Sequence, residues 1–211
     1  MRYAVAAALL LTPSACAEFR PPAVVMPEVT RDWREVVTED DRGRLRDWRT
    51  AFVEALQAAR SAGHSADLAR EGELLDPDVA LGGGTIPNGN YRCRVIKLGA
   101  RSPGVLAYVS YPWFACRVAQ NGPVQDFAKL GGSQRQVGVV YPSDGLRQVF
   151  LGTLVLADEA RAMQYGRDTD RDVAGFVERI GPGRWRLIMP RPHFESVMDV
   201  MELVPSGEGV R

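Results

Sequence analysis

The sequence predicts a mainly β protein with helices ahead of its sheet (α+β), the strands closing into an eight-stranded antiparallel up-and-down barrel. Three observations carry that expectation. Upstream of Pro87 apolar residues recur at spacings of three and four, and downstream they recur at every second residue. Short turns rich in Gly, Asn, Asp and Pro then join the downstream segments, as a hairpin meander requires. A two-layer β-sandwich satisfies the same rhythm and stands as the alternative.

The helical part comes first. Thr38 precedes Glu39, Asp40 and Asp41, which sets a capping hydroxyl and three acids at the positive end of a helix. Leu45, Trp48, Phe52, Leu56 and Ala59 trace one apolar stripe, so a single helix is expected over 39–61. Gly63 ends it. A shorter helix fits between His64 and Leu75, after which Asp76-Pro77 and Gly82-Gly83-Gly84 break the chain.

In the strand region Tyr91, Cys93 and Val95 alternate with Arg92 and Arg94, and Phe114, Cys116 and Val118 alternate with Ala115 and Arg117. Six further strands are expected over 124–130, 136–141, 146–156, 172–180, 184–189 and 197–204. Their joints carry Asn121-Gly122, Gly131-Gly132, Ser143-Asp144-Gly145 and Gly181-Pro182-Gly183. Closing eight such strands removes both exposed edges, which favours a calycin-like barrel over an open sheet. Val149-Phe150-Leu151 and Leu154-Val155-Leu156 are apolar on both faces and need cover outside the barrel. The Trp48, Phe52 and Leu56 face is the expected source of that cover.

Arg2 and the apolar run from Ala4 to Leu11 mark residues 1–17 as a signal peptide, too short to cross a bilayer. Ala15-Cys16-Ala17 suits cleavage after Ala17, whereas Ser14-Ala15-Cys16 resembles the end of a lipobox with Cys16 as the lipid anchor. Pro13 stands where a lipobox carries an aliphatic residue, which weighs against the second route; both stay open. Residues 18–30, with Pro21, Pro22 and Pro27, read as an extended tether. Residues 31–205 read as one domain and 206–211 as a disordered tail. The expected location is periplasmic or secreted, with lipid anchoring in the cell envelope under the second route.

In an oxidising compartment Cys93 and Cys116, both on apolar strand faces, are expected to form a disulfide. Across the chain 26 Lys and Arg balance 26 Asp and Glu, so no basic field points to nucleic acid. No later run approaches the roughly 18 apolar residues of a membrane span. A monomer is expected.

Few residues suggest chemistry. Asp168-Thr169-Asp170-Arg171-Asp172 alternates oxygen ligands, but Val173 stands where a calcium loop turns on Gly and Arg179 where it closes on Glu. His64 and His193 lack metal-ligand spacing, so neither a metal nor another cofactor is expected. His193, with Glu195 and Ser196 two and three residues on, is a candidate polar site, because an imidazole near a carboxylate titrates close to neutral pH. No G-x-S-x-G elbow occurs, and Gly82-Gly83-Gly84 lacks the Lys and Ser/Thr of a phosphate loop. In Arg184-Trp185-Arg186 alternation places Trp185, Leu187 and Met189 on one face and the arginines on the other.

Several blocks resemble one family. They are Gly89-Asn90-Tyr91-Arg92-Cys93-Arg94-Val95-Ile96-Lys97, Tyr111-Pro112-Trp113-Phe114-Ala115-Cys116, 172–179, 183–187 and 199–203, and the likeness spans about Asp32 to Pro205. The chain is similar to bacterial envelope proteins grouped as domain of unknown function 4893 (DUF4893), a resemblance that implies an exported protein and no assigned activity. The functional expectation is a noncatalytic envelope protein whose barrel binds a small apolar ligand or an envelope protein partner. A hydrolase of unrecognised type is the alternative, as is a protease-inhibitor-like protein acting through Pro21 to Pro27.

Overall fold

The computed structural model describes residues 30–207. The signal peptide, Cys16, Pro21 to Pro27 and the last four residues lie outside the described residues. Two helices occupy the place of the single expected one. α1 (Glu39–Arg46) starts where Thr38 Oγ accepts from the Asp41 N–H at 3.3 Å, and Asp47 separates it from α2 (Trp48–Ser61). Beyond them lie α3 (Ser65–Glu71) and a 3-10 turn over Gly72–Leu75.

The break at Asp47 follows from where each helix packs. Leu45 joins Val37, Val149, Leu151 and Tyr141 in one cluster, while Phe52, Leu56 and Ala59 join Ile96, Leu98, Ile188 and Val200 in another. One straight helix could not lie on both patches of a curved wall, although a continuous apolar stripe runs through the sequence. The outer face of the strand at 147–156 is therefore covered by Val37 and Leu45, not by the Phe52 and Leu56 face. Trp48 packs edge-on against Phe176, with ring centres 6.3 Å apart.

Nine strands follow: β1 (Gly89–Ala100), β2 (Tyr108–Ser110), β3 (Phe114–Asn121), β4 (Val124–Lys129), β5 (Gln134–Tyr141), β6 (Arg147–Leu156), β7 (Asp172–Gly181), β8 (Arg184–Pro190) and β9 (Ser196–Pro205). Neighbours pair antiparallel from β3 to β9, and β1 pairs with both β3 and β9, which closes an eight-stranded barrel. β2 lies outside the ring. It takes the edge of β1 at Ile96 to Leu98, beyond the Cys93↔Phe114 pair where β3 leaves off. Tyr111-Pro112-Trp113 separates the two short strands.

Alternation along the strands sorts inside from outside. Tyr91, Cys93, Val95, Phe127, Val140, Phe150, Val177, Leu187 and Met201 fill the interior. Ile96, Leu98, Ile188 and Val200 face out beneath α2. The Cys93–Cys116 disulfide lies within this interior, where the β1–β3 ladder is short. The helical cap is anchored by Arg186, which is fully buried. Its guanidinium donates to the Leu74 and Asp76 carbonyls at 2.8 and 2.7 Å and pairs with buried Glu178 at 2.6 Å. The last carbonyls of the 3-10 turn thereby gain donors they would otherwise lack.

One end of the barrel is stoppered. Ile86 is buried there, its N–H donating to Gln148 Oε1 and its carbonyl accepting from Gln125 Nε2, each at 2.8 Å. The other end carries the connections 101–113, 130–133, 157–171 and 191–195, and it is where polar side chains turn inward.

Candidate functional site

The inward phase of the strands continues past the apolar core into charge. Lys97 lies two residues beyond Val95 on β1, Lys129 two beyond Phe127 on β4, and Asp199 two before Met201 on β9. On β5 Gln136 and Gln134 lie four and six residues before Val140. All five therefore point into the same mouth. Lys97, Lys129, Gln134 and Gln136, with Tyr111 and Glu195, line a cavity of about 110 Å³, closed on its inner side by Val95 and Phe114.

The two lysines are held differently. Lys97 Nζ lies 2.8 Å from Glu195 Oε2 and 3.5 Å from Asp199 Oδ2, and donates to Gln134 Oε1 at 3.0 Å. Burial drags this ammonium down, but Asp199 and then Glu195 outweigh it and hold its pKa above the ordinary value. Asp199 is itself pushed up by burial, against the pull of Lys97 and of the Ser196 hydroxyl that donates to it. Glu195, closer than Asp199, keeps Lys97 matched whichever way Asp199 titrates.

Lys129 makes no ion pair among the described residues. Its Nζ donates to the Gly131 and Gln134 carbonyls at 2.6 and 2.8 Å and stands 4.0 Å from the centre of the Phe114 ring. Burial, then Arg135 and Lys97, push its pKa down to about 8. Gly132 lets the β4–β5 loop fold over this amine: its φ is +85°, and a Cβ there would stand 2.8 Å from Lys129 Nζ. Beside it Gln136 is 3% exposed, and its Oε1 is buried with no hydrogen-bond partner among the described residues. A buried acceptor left unmatched costs on the order of 1–3 kcal/mol.

The structure splits the polar pair singled out from sequence. Glu195 enters the mouth and meets Lys97, whereas His193 turns to Asp40 and Asp170, with nitrogen to oxygen separations of 3.8 and 3.9 Å, and does not line the cavity. Asp172 accepts from the Gly166 N–H and Asp168 pairs with Arg171, so these two acids of the run are held by their own segment. Lys97, Lys129, Gln134, Gln136 and Asp199 escape a reading by composition. Their signal is one of phase, for each is a polar residue at a position the alternation assigns to the interior.

Exposed Leu106, Tyr111, Trp113, Leu130 and Phe194 lie on the connections at this same end. Arg92 and Arg94 stack over Trp113 at 5.1 and 5.3 Å. Among the described residues no group of three or more His, Cys, Asp or Glu converges as a metal site, and no helix is long and apolar enough to cross a membrane. No curated protein and no solved structure matches the chain. One family model, described as a domain of unknown function, matches residues 33–203, from the turn ahead of α1 into β9. The chain belongs to that family, DUF4893.

Proposed function

We propose that this chain is a noncatalytic, exported binding protein that takes a small polar ligand at the open mouth of its barrel. The observation that carries this reading is a cavity of about 110 Å³ in the barrel mouth, whose wall sets Lys97, Lys129, Gln134 and Gln136 over an apolar floor of Val95 and Phe114. A concave site in which a few polar side chains converge over apolar ones is the ordinary form of a small-ligand pocket. A larger apolar guest of the kind suggested by fold analogy is disfavoured, because Phe127, Phe150, Met189 and Met201 already fill the middle of the barrel. Export is supported by the Cys93–Cys116 disulfide and by the signal-like residues 1–17.

A protein partner is the second reading, favoured by the apolar side chains exposed around the mouth. A hydrolase finds less support: among the described residues neither histidine hydrogen-bonds a hydroxyl or a thiol.

A thermal-shift screen of small polar solutes, followed by amide chemical-shift mapping of each hit, tests the reading. The expected result is a hit whose shifts centre on 95–97 and 129–136 and whose stabilisation is lost in Lys129→Met. Hits that map elsewhere, or none, overturn it. Mass spectrometry of the exported product tests the compartment: a chain starting at Glu18, or a diacylated Cys16, is expected, and an intact Met1 in the cytoplasm would overturn export.

A further inference from the structure

We infer that the mouth cavity captures a short, uncharged aldehyde, which Lys129 holds as a reversible imine. This inference rests on the binding reading above and names the chemistry of its ligand.

Lysine is rare in this chain. Of the 26 basic side chains only Lys97 and Lys129 are lysines, and every other one is an arginine. Both lysines are buried, and both line the mouth cavity. Arginine serves on the surface and at fully buried Arg186 alike, so a need for positive charge does not by itself call for lysine. What lysine adds is an amine that can shed its proton near neutral pH when buried and then attack carbon, which a guanidinium cannot do. The acids of the mouth point the same way. Glu195 and Asp199 both pair with Lys97 and balance the two lysines in number, so the cavity presents no net charge to an ion.

Of the two amines, Lys129 is the one placed to react. Lys97 is held as an ammonium by its two carboxylates. Lys129 Nζ hydrogen-bonds only the Gly131 and Gln134 carbonyls, at 2.6 and 2.8 Å. A neutral amine has two N–H groups, which those acceptors match in full while the lone pair stays unused. Burial, with Arg135 and Lys97 nearby, brings the pKa down to about 8 and so supplies the neutral form. Because residue 132 is glycine, no side chain of the loop covers the amine on that side: a Cβ there would stand 2.8 Å from Nζ, and Gly132 is part of the cavity wall.

Capture of an aldehyde needs neither oxidant nor reductant. Nζ bonds to the carbonyl carbon and one N–H proton passes to the oxygen; the resulting carbinolamine releases that hydroxyl and the second N–H proton as water, leaving C=N. Protonated, the imine keeps one N–H for a loop carbonyl, and the Phe114 ring, its centre 4.0 Å from Nζ, stands against the charge. Volume bounds the guest. At roughly 10–15 Å³ for a water, a cavity of about 110 Å³ admits about six non-hydrogen atoms, whose carbons rest on Val95 and Phe114.

Reductive trapping of the mature chain with propionaldehyde and cyanoborohydride, followed by peptide mapping, reads each amine separately and needs no variant. At pH 8 Lys129 is expected to be propylated at least about tenfold faster than Lys97, the order set by their neutral fractions. Its rate should be half-maximal near pH 8, and the preference should vanish in the urea-unfolded chain. Pyridoxal, an aldehyde larger than the cavity, should leave Lys129 unlabelled in the folded chain. Propylation of Lys129 no faster than of Lys97, or a half-maximal rate near pH 10.5, overturns the inference; pyridoxal labelling as fast as propionaldehyde overturns capture within the cavity. Should Lys129 fail to trap while the solute screen still finds a ligand at 95–97 and 129–136, the imine falls and the binding reading stands. Should both fail, the binding reading falls as well.

Discussion

The two ends of the barrel use inward glutamines to opposite effect. At the stoppered end Gln148 accepts from the Ile86 N–H and donates to Gln125 Oε1, while Gln125 donates to the Ile86 carbonyl and to Asn88. The Tyr91 hydroxyl donates to the Pro87 carbonyl at 2.6 Å and ties down the same segment. At the open end Gln136 is as deeply buried, yet among the described residues its Oε1 has no hydrogen-bond partner and its neighbour Lys129 bonds only carbonyls. A fully satisfied polar cluster rigidifies the closure it forms, and an unmatched buried polar atom costs stability. The contrast supports the proposed binding site at the mouth.

One substitution made at both ends tests that contrast most severely. Gln148→Leu strips partners from the Ile86 N–H and from Gln125 Oε1, each worth about 1–3 kcal/mol when left buried, so a loss of about 4 kcal/mol is expected in urea unfolding. Gln136→Leu removes an amide whose oxygen has no partner, and should leave stability unchanged or raise it by about 1 kcal/mol. Equal losses at the two positions would dissolve the distinction between plug and mouth.

Next in size is the staple between them. Cys93–Cys116 joins β1 to β3 across a sequence separation of 23, and replacing both cysteines with alanine should cost about 3 kcal/mol. Because the bond lies between plug and mouth beside a ladder of five pairs, against seven between β6 and β7, its loss should speed amide exchange along β1 and β3 before β6 and β7. Uniform exchange around the barrel would show that the β1–β3 seam is not its weak point.

Lys129 gives a comparable effect with a pH signature. Its folded pKa of about 8 lies below the 10.5 of the unfolded chain, so between those values the unfolded state holds more protons and stability rises with pH. The gain amounts to about 3 kcal/mol, fully present above pH 10.5 and lost as pH falls through 8. Measured as the difference between wild type and Lys129→Met, it is free of the tyrosines that titrate in the same range. A difference that stays flat from pH 8 to 10.5 would mean that the amine is solvated after all.

How much of this is legible in the sequence depends on whether a feature is set by period or by direction. All eight ring strands follow from the two-residue rhythm, because a half-buried strand imprints its faces on the chain regardless of its partners. β2 leaves no such imprint, being three residues long and cut from β3 by Pro112. The break at Asp47 is invisible because the apolar spacing runs through it; only the curvature of the wall divides Leu45 from Phe52. Glu195 was in reach of composition, but that His193 turns away from it is set by the fold of the β8–β9 connection, where Arg191 and Glu195 both take positive φ. The mouth lysines were readable in principle: Tyr91, Cys93 and Val95 point inward, and Lys97 is the next residue in phase. Reading charge as outward by default hides them.

The smallest expected effect gives the finest comparison of the ends. Gly132, over the mouth, and Gly183, in the β7–β8 turn at the stoppered end, have φ of +85° and +61°, so alanine at either should cost about 1 kcal/mol in backbone strain. Their surroundings differ: nothing stands within 4 Å of a Cβ at Gly183, whereas one at Gly132 meets Lys129 Nζ at 2.8 Å and the Phe114 ring at 3.2 Å. The flexible amine can yield, but only by loosening its bonds to the Gly131 and Gln134 carbonyls. Both variants should therefore unfold at similar urea concentrations, while Gly132→Ala alone moves the Lys129 titration, read by NMR of its side chain. An unmoved titration would mean that the loop does not hold the amine, and that Lys129 is placed by its strand and the Phe114 ring alone.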